Sequence, residues 1–343
     1  MKKKIKIRAA VLTKINKILK IQNIYHEREL SDNQALVKLY YTGICGSQIG
    51  EIKGVKGKNK YLPHLLGHEA TGRILKISSN HKHLKKNDKV ILHWQKNVGR
   101  NSKTPNYTDI KNKKINAGWV TTFNNYAIVS SNRLTKLPKE INLKEGVLFG
   151  CSLTTAYGSI FKESKINLNK KNKILITGGG MIGQAILIFI YSKYQNISLL
   201  EKSLKKIQFL KKIYPNIKII KNLSAVKNND FDYVYETTGS KKIIEKVYRS
   251  IKTSGKLMLI GVPHYKSKIK INTLEINYGK RIIGSYGGGV VPNKDIKNII
   301  YFLKNSKAKL KNLYGKIYNF NEINLIIKKL MLGKIIKKPI IKF

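Results

Sequence analysis

The segment Ile174–Gly183, with the sequence ILITGGGMIG, decides the fold of the central part of this chain. Its first four residues predict a buried strand, and the glycines that follow have the G-x-G-x-x-G spacing at Gly178, Gly180 and Gly183. An apolar stretch that runs through Phe189 predicts a helix directly behind them. In such a turn the first glycine permits the tight bend, the second lets a pyrophosphate approach the backbone, and the third allows close helix–strand packing. The segment therefore predicts a dinucleotide-binding βαβ unit.

An acidic residue supports this interpretation. Glu201 ends the next predicted strand, Ile197–Leu200, and follows Gly178 at the spacing typical of a ribose-binding carboxylate. Such a carboxylate binds the adenine ribose hydroxyls and repels a 2′-phosphate, so NAD is favoured over NADP. The nearby lysines, Lys206 among them, weaken that preference.

Strand patterns elsewhere predict two kinds of domain. Further strands at 232–235, 256–262 and 281–283 alternate with Lys-rich helical stretches, which predicts a doubly wound parallel sheet with right-handed crossovers. The first 150 residues instead carry short strands such as 35–41 and 89–92, separated by turn residues, which is typical of a small β-barrel. The length of 343 residues agrees with about two domains.

The composition is strongly basic, with a formal net charge of +50. Only seven of the 68 basic residues are Arg, and the lysines are spread along the whole chain, whereas nucleic-acid surfaces concentrate their charge and favour Arg. The longest apolar run, Ala185–Tyr191, is far shorter than the ~20 residues that a membrane span needs. Two cysteines without a secretory signal indicate the cytoplasm. We therefore expect no specific nucleic acid and no membrane as partners.

Both cysteines and one histidine lie in short, distinctive contexts. Cys45 stands in GICGS, Cys151 in FGCS, and His68 in PHLLGHE, where Glu69 follows it. Two thiolates and an imidazole can supply three ligands to Zn²⁺ and leave the fourth position open for a substrate. Each residue taken singly also has an ordinary structural explanation, since Cys is often a small core residue.

The sequence motifs around these residues, together with further motifs along essentially the whole chain, carry a resemblance. The chain resembles the zinc-containing alcohol dehydrogenases of the medium-chain dehydrogenase/reductase family. The matching segments are Cys45–Ser47, Gly67–Glu69 with Gly72, Asn87–Val90, Gly150–Cys151, Thr154–Thr155, the glycine turn, Gly261–Pro263, and Gly287–Gly288 with Pro292 and Asp295. The resemblance implies an α/β protein with a GroES-like β-barrel catalytic domain and a Rossmann domain. It places the former at 1–152, the latter at 153–286, and a segment that returns to the catalytic domain at 287–343, with the active site in the cleft between the two domains.

The resemblance also implies the roles of individual residues. Cys45, His68 and Cys151 would bind catalytic zinc, with Glu69 beside the metal as a supporting carboxylate or an occasional ligand. Ser47 would take the alcohol proton, and Thr155 would approach the nicotinamide. The implied cofactor contacts are Gly178, Gly180, Met181, Ile182, Gly183, Glu201, Lys206, Thr155, Gly261 and Val262.

The implied reaction transfers hydride between the CH–OH group of an alcohol or polyol, or the matching aldehyde or ketone, and NAD. A homodimer or homotetramer is expected through edge-strand pairing near 281–286. Two alternatives stay open. One is a zinc-independent quinone or enoyl reductase of the same fold, although such enzymes generally lack the paired cysteines. The other is a basic nucleic-acid-binding protein, although no helix-turn-helix, zinc-finger or RNA-binding signature is found.

The chain departs from the family pattern in three places, one of which is Gly50, where some relatives have a histidine that relays the proton. The stretch 95–117, where many relatives bind a structural zinc with four cysteines, contains no cysteine, so a structural Cys₄ site is impossible. We expect that lobe to pack around Tyr107 and Trp119. Gln48 stands where the family usually has an aspartate that supports the zinc-ligating histidine, so we expect an altered environment around His68.

Overall fold

The computed structural model describes residues 4–27, 29–78, 83–167, 171–306 and 309–343. Their contacts define two compact units. The first unit comprises Met1–Cys151, Val291–Lys297 and Tyr314–Phe343, and the second unit comprises Ser152–Val290 and Asn298–Leu313. Residues 298–313 thus group with the second unit, whereas we assigned 287–343 as a whole to the catalytic domain. The predicted domain boundaries stay a prediction.

The described residues form strands and helices along the whole chain. The strands are β1 (Ile5–Leu12), β2 (Lys20–His26), β3 (Gln34–Gly43), β4 (His64–Leu65), β5 (Ala70–Ile77), β6 (Lys89–Leu92), β7 (Tyr107–Thr108), β8 (Lys114–Ile115), β9 (Tyr126–Ser130), β10 (Leu134–Lys136), β11 (Lys173–Thr177), β12 (Asn196–Leu200), β13 (Lys218–Ile220), β14 (Phe231–Glu236), β15 (Ile251–Leu259), β16 (Arg281–Gly284), β17 (Tyr314–Asn319) and β18 (Lys338–Lys342). The α-helices are α1 (Gly46–Ile52), α2 (Leu143–Gly146), α3 (Ser152–Gly158), α4 (Met181–Ile190), α5 (Leu204–Ile213), α6 (Lys241–Ser250), α7 (Leu274–Asn277), α8 (Pro292–Lys304) and α9 (Ile323–Met331). Among the described residues, no helix combines the length and the apolar character that crossing a membrane requires.

The described residues of the first unit form two sheets. One sheet has the strand order β4-β1-β2-β7-β8, and the other has the order β10-β6-β5-β3-β18-β17, with β9 paired to β3. Successive side chains of a strand point to opposite faces, and β1 serves two cores in this way. Ile7 and Val11 pack into one apolar cluster, while Ala10 and Leu12 pack into another. Short strands with buried residues on both faces therefore produce the barrel-like domain that the sequence predicts.

The last strand of the chain belongs to the same sheet as the early strands. In β18, Ile340 lies opposite Gly43 and Ile341 opposite Thr42, in antiparallel pairing with β3. The other side of β18 pairs in parallel with β17. The two ends of the chain thus contribute to one unit, and β18 lies next to the end of β3, which leads to Cys45.

The lobe at 95–117 differs in part from the expectation. Tyr107 is fully buried, and its hydroxyl accepts the N–H of Ile128 at 2.9 Å, so this side chain anchors the lobe as predicted. Trp119 is 43 % exposed, and it is held by a hydrogen bond from its indole N–H to the carbonyl of Ser102 at 3.1 Å. Trp119 is therefore at the surface of the lobe, since its polar edge is bonded to the backbone while much of its ring faces solvent.

The second unit contains one parallel sheet among its described residues, with the strand order β13-β12-β11-β14-β15-β16. Numbered within this unit, the order is 3-2-1-4-5-6, which is the order of a Rossmann dinucleotide-binding fold. Its central strands are buried on both faces, since successive residues such as Leu175 and Ile176, which point to opposite faces, are both fully buried. The predicted doubly wound sheet is confirmed, although β15 ends at Leu259 rather than at Val262.

Candidate functional site

The first unit brings the three predicted metal ligands together. The sulfur atoms of Cys45 and Cys151 and a ring nitrogen of His68 all lie within 4.8 Å of one another. The two sulfur atoms are 3.9 Å apart. Two thiolates bound to one tetrahedral zinc at about 2.3 Å lie roughly 3.8 Å apart, so the spacing fits the ion. The Nε2 atom of His68 is buried and has no hydrogen-bond partner among the described residues, so none of them competes with a metal for this nitrogen.

Glycines beside the ligands allow this convergence. Gly67 has φ +87°, and a Cβ there would lie 2.4 Å from the Thr122 hydroxyl and 2.8 Å from the Phe123 nitrogen. A Cβ on Gly150 would lie 2.6 Å from the carbonyl oxygen of Leu92. Neither position accepts a side chain, because the close neighbours are backbone or buried atoms. The Gly-His and Gly-Cys pairs of the sequence thus reflect packing needs of the backbone that delivers the ligands.

The electrostatics of the cluster favour a thiolate at Cys45. The Cys151 thiol donates to the Cys45 sulfur, which lowers the pKa of Cys45 and raises the pKa of Cys151. Burial alone would lower the pKa of His68, but the neighbouring Cys45 sulfur and Glu69 raise it above its usual value. A site that stabilises negative charge on sulfur before any metal is bound suits a divalent cation, because the thiolate is the form that binds metal.

Glu69 makes a contact that the sequence did not reveal. Its carboxylate is fully buried, and Nζ of Lys338 lies 2.5 Å from Oε1 and 2.7 Å from Oε2. Burial alone would lower the pKa of Lys338, but the Glu69 carboxylate holds it above its usual value. The clustered ligand atoms belong to Cys45, His68 and Cys151, so metal ligation by Glu69 stays a prediction. No sequence pattern indicated that Lys338 would pair with Glu69, because lysine is abundant throughout the chain and Lys338 is 269 positions away from Glu69.

Gln48 is a polar neighbour of His68, the predicted histidine ligand. Its side chain is buried on α1, and its amide nitrogen lies 3.0 Å from Nδ1 of His68. The same nitrogen lies 3.3 Å from a carboxylate oxygen of Glu51, while the amide oxygen accepts the N–H of Gly67 at 2.5 Å. The altered surroundings predicted for His68 are therefore a network of an amide, a carboxylate and a backbone N–H. Ser47, the predicted proton acceptor, lies half-buried on the same helix, two residues after Cys45.

The second unit carries the predicted nucleotide-binding turn between β11 and α4. Gly178 has φ +86°, and a Cβ on Gly183 would lie 2.1 Å from the carbonyl oxygen of Gly178. A Cβ on Gly180 would meet no atom within 4 Å, so the backbone there borders open space at the start of the helix. The three glycines thus have the three roles of the motif, namely tight turn, open approach and close packing. Met181 and Ile182, predicted to contact the cofactor, form the half-buried first turn of α4.

Glu201 lies directly after β12, against this turn. One carboxylate oxygen accepts the N–H of Gly179 at 2.9 Å, and the other accepts the N–H of Ser203 at 2.8 Å. Nζ of Lys206 is 3.5 Å from the carboxylate. Burial opposes ionisation, but these N–H groups and the ammonium of Lys206 lower the pKa of Glu201 below its usual value. The carboxylate is therefore a fixed negative charge at the carboxyl end of the sheet, where ribose hydroxyls bind in this fold.

The remaining residues of the second unit that we predicted to contact the cofactor lie outside the glycine turn. Thr155 is buried on α3. Gly261 packs against the turn after β14, where a Cβ would lie 2.1 Å from the nitrogen of Gly239, and Val262 beside it is 50 % exposed. Sequence reasoning did not identify Glu236, a fully buried carboxylate that accepts the N–H groups of Thr238 and Gly239 in this turn. Its place at the end of the predicted strand was the available signal.

A Rossmann sheet in one unit and a Cys₂His cluster in the other define a class of metal-containing oxidoreductases that use a dinucleotide. Comparison with known proteins agrees. The model of the alcohol dehydrogenase GroES-like domain matches residues 31–139, and the model of the zinc-binding dehydrogenases matches residues 201–305.

Individual proteins are similar over nearly the full length. Alcohol dehydrogenase-like 1 of Arabidopsis thaliana is 24 % identical, covering 97 % of this chain and 95 % of the relative. An alcohol dehydrogenase of Geobacillus stearothermophilus is 21 % identical over 98 % of this chain and 99 % of the relative. The crystal structure of benzyl alcohol dehydrogenase from Acinetobacter calcoaceticus has a similar fold, with a TM-score of 0.85, 22 % identity and 99 % coverage of both chains.

The chain belongs to the zinc-containing alcohol dehydrogenases of the medium-chain dehydrogenase/reductase family. It is an oxidoreductase that acts on the CH–OH group of alcohols or on the matching carbonyl compounds. The predicted GroES-like and Rossmann domains are confirmed, and so is the enzyme class.

Proposed function

We propose that this chain is an NAD-preferring alcohol or polyol dehydrogenase with one catalytic zinc per chain, held by Cys45, His68 and Cys151. The observation that carries the metal site is the convergence of two sulfurs and one orphaned ring nitrogen within 4.8 Å. The nearest alternative is a zinc-independent quinone or enoyl reductase of the same fold, and a converging ligand set gives no support to it.

When bound, zinc supplies Lewis-acid polarisation of the substrate oxygen. The chain's own residues then have separate tasks. Cys45 and Cys151 contribute negative charge and His68 a neutral nitrogen, which leaves one tetrahedral position for substrate. Ser47, two residues after Cys45, offers a hydroxyl that would relay the alcohol proton, accepting it at Oγ while its own proton passes outward to solvent. Glu69 and Lys338 keep a matched pair of charges buried close to the ligands.

The preference for NAD rests on Glu201. Its carboxylate is fixed by the N–H groups of Gly179 and Ser203 beside the open backbone at Gly180. A 2′-phosphate would meet this negative charge, whereas ribose hydroxyls can donate to it. Lys206 adds a cation that accompanies the ribose contact. Gly178, Gly183, Met181, Ile182, Thr155, Gly261 and Val262 complete the proposed cofactor contacts.

Two further proposals concern assembly and location. β16 ends the sheet of the second unit and pairs only with β15 among the described strands. This edge supports a homodimer or homotetramer through pairing near 281–286. The site requires both sulfurs as thiolates, and such a pair persists most readily in the reducing cytoplasm.

The test is an NAD⁺ reduction screen across alcohols and polyols, with zinc measured on the same sample. We expect about one zinc per chain, as three ligands with one open position imply. We also expect faster reduction of NAD⁺ than of NADP⁺. Active protein without zinc would refute the metal site, and a preference for NADP⁺ would refute the role of Glu201.

A further inference from the structure

The amide of Gln48 has two neighbours whose hydrogen-bonding roles are fixed. The backbone N–H of Gly67, 2.5 Å from the amide oxygen, can only donate. The carboxylate of Glu51, 3.3 Å from the amide nitrogen, can only accept when it is ionised. The two ends of an amide are assigned from their partners, and both partners here select the same orientation. The carbonyl of Gln48 faces Gly67, and its NH₂ group faces Glu51.

This orientation of the Gln48 amide determines which of its groups faces Nδ1 of His68. The NH₂ group of Gln48 also lies 3.0 Å from Nδ1 of His68, so Nδ1 receives a hydrogen bond rather than donating one. A neutral imidazole carries one proton, and if Nδ1 accepts, that proton is on Nε2. Nε2 is the atom without a hydrogen-bond partner, and it is the nitrogen left for the metal, because Nδ1 is occupied by Gln48. The surroundings of Gln48 thus favour the tautomer whose Nε2 has no lone pair to offer.

Zinc loading requires the other tautomer, with the proton on Nδ1. The amide of Gln48 would then have to turn its carbonyl towards His68. That rotation places the NH₂ group against the Gly67 N–H and the carbonyl against the Glu51 carboxylate, so two good contacts become two repulsive ones. A carboxylate at position 48 would avoid this conflict, because it can accept from Nδ1 and from Gly67 at once.

We propose that Gln48, oriented by Glu51 and by the Gly67 N–H, is a positioning residue that holds His68 in its Nε2–H tautomer in the metal-free site and thereby weakens the binding of Zn²⁺. The inference rests on the proposed metal site. It concerns how tightly that site holds its ion and which residue outside the ligand set controls the affinity. Partners of ligating histidines typically change metal affinity by about 10- to 100-fold.

The sharpest test is a charge-conserving exchange, the double variant Gln48→Glu/Glu51→Gln. It places an acceptor-only group beside His68 and Gly67, and a donor where the carboxylate was, with the same net charge and nearly the same volume. We expect Zn²⁺ to bind at least about tenfold more tightly to the metal-free double variant than to the wild type, in competition with a chromophoric chelator. Affinities within twofold of each other would overturn the proposal.

A second measurement needs no variant and no activity. ¹⁵N NMR of the metal-free wild type, at a pH where the imidazole is neutral, reports the tautomer of His68 directly. We expect the proton on Nε2 in the wild type and on Nδ1 in the double variant, and a proton on Nδ1 in the wild type would refute the proposal. Glu27→Gln, which removes an exposed carboxylate of the same unit, is the control and should change neither readout.

The two proposals fail in different ways. If the wild type binds no Zn²⁺ at all, the metal site of the proposed function is wrong. If it binds Zn²⁺ but the exchange changes neither the affinity nor the tautomer, only the role of Gln48 is wrong.

Discussion

Lys338 and Glu69 form a fully buried ion pair, with Nζ of the lysine 2.5 Å and 2.7 Å from the two carboxylate oxygens. It joins the final strand β18 to the residue that follows the candidate ligand His68. A Cβ on Gly43 would lie 2.9 Å from both Oε1 of Glu69 and Cε of Lys338, so the ion pair packs closely against the backbone of Gly43. The pair therefore couples the stability of the first unit to the integrity of the candidate metal site.

Lys338→Met should destabilise the protein strongly, because it leaves the Glu69 carboxylate buried without a cation. Breaking a buried pair in this way costs about 3–5 kcal/mol. Urea unfolding of the metal-free protein measures the loss. The control is Lys342→Met, which removes an exposed lysine from the same strand and should leave the midpoint nearly unchanged. Equal midpoints for both variants would show that the pair contributes nothing.

Cys151→Ser should abolish zinc retention and hydride transfer together, since a neutral hydroxyl replaces one of two thiolates. We expect zinc content to fall below about a tenth of an ion per chain and activity to fall by at least roughly 10³-fold. Metal analysis and an alcohol oxidation assay measure the two effects. Wild type stripped with a chelator should regain activity on adding Zn²⁺, and the variant should not. A variant that keeps zinc and activity would contradict the ligand set.

Glu201→Gln should shift the cofactor preference towards NADP by removing the negative charge that opposes a 2′-phosphate. The isosteric amide keeps a carbonyl that can accept from Gly179 or Ser203, so the turn itself should persist. We expect the ratio of the dissociation constants for NADP⁺ and NAD⁺ to fall about tenfold, which corresponds to ~1.4 kcal/mol. Glu245→Gln, in the same unit, is the control. An unchanged ratio in fluorescence titrations would exclude the role of Glu201.

His93 should make the first unit sensitive to acid. Burial lowers the pKa of His93 from 6.5 to about 4, and its Nδ1 lies 2.6 Å from the carbonyl oxygen of Gln95. The imidazole of His93 therefore binds a proton less tightly in the folded state than in the unfolded state. Its contribution to the free energy of unfolding is fully present above pH 6.5 and is lost as the pH falls towards 4. The difference amounts to ~3 kcal/mol over this window.

Chemical denaturation at pH 7 and at pH 4.5 tests this effect. The variant His93→Gln should lose less stability between the two pH values than the wild type does. His83→Gln, which replaces an exposed histidine of the same unit, should behave like the wild type. If His93→Gln and the wild type lose the same stability, another group is responsible for the acid sensitivity.

Much of this structure could be predicted because the residues that determine it lie in short sequence motifs. The turn at Gly178–Gly183 requires glycine for reasons confined to a few neighbouring atoms, so its sequence predicts its shape. The Gly-His and Gly-Cys pairs likewise report backbone constraints next to the ligands. The parallel strand order follows from strand–helix alternation, since right-handed crossovers permit few arrangements.

Other features depend on contacts between distant segments, and no local pattern announces them. Lys338 meets Glu69 only because β18 pairs with β3, and one lysine among so many carries no distinguishing mark. The orientation of the Gln48 amide depends on Glu51, which is one turn away on the same helix, and on the backbone N–H of Gly67, which adjoins it only in the folded chain. Charge and hydrogen-bond direction inside the site are therefore properties of the tertiary structure.

The open space beside Gly180 separates the needs of folding from the needs of ligand binding. A methyl group at this position meets no protein atom, whereas a methyl group on Gly183 would collide with the carbonyl of Gly178 at 2.1 Å.

Gly180→Ala should therefore fold with wild-type stability and keep its zinc, yet bind NAD⁺ at least about tenfold more weakly, because the methyl occupies the approach of the pyrophosphate. Gly183→Ala should lose stability as well, and calorimetry with cofactor titration distinguishes the two variants. If Gly180→Ala binds NAD⁺ normally, the pyrophosphate lies elsewhere. Gly180→Ala thus offers a natively folded form of the enzyme with weakened cofactor binding for cellular complementation experiments, in which reduced hydride transfer can be observed without loss of the protein.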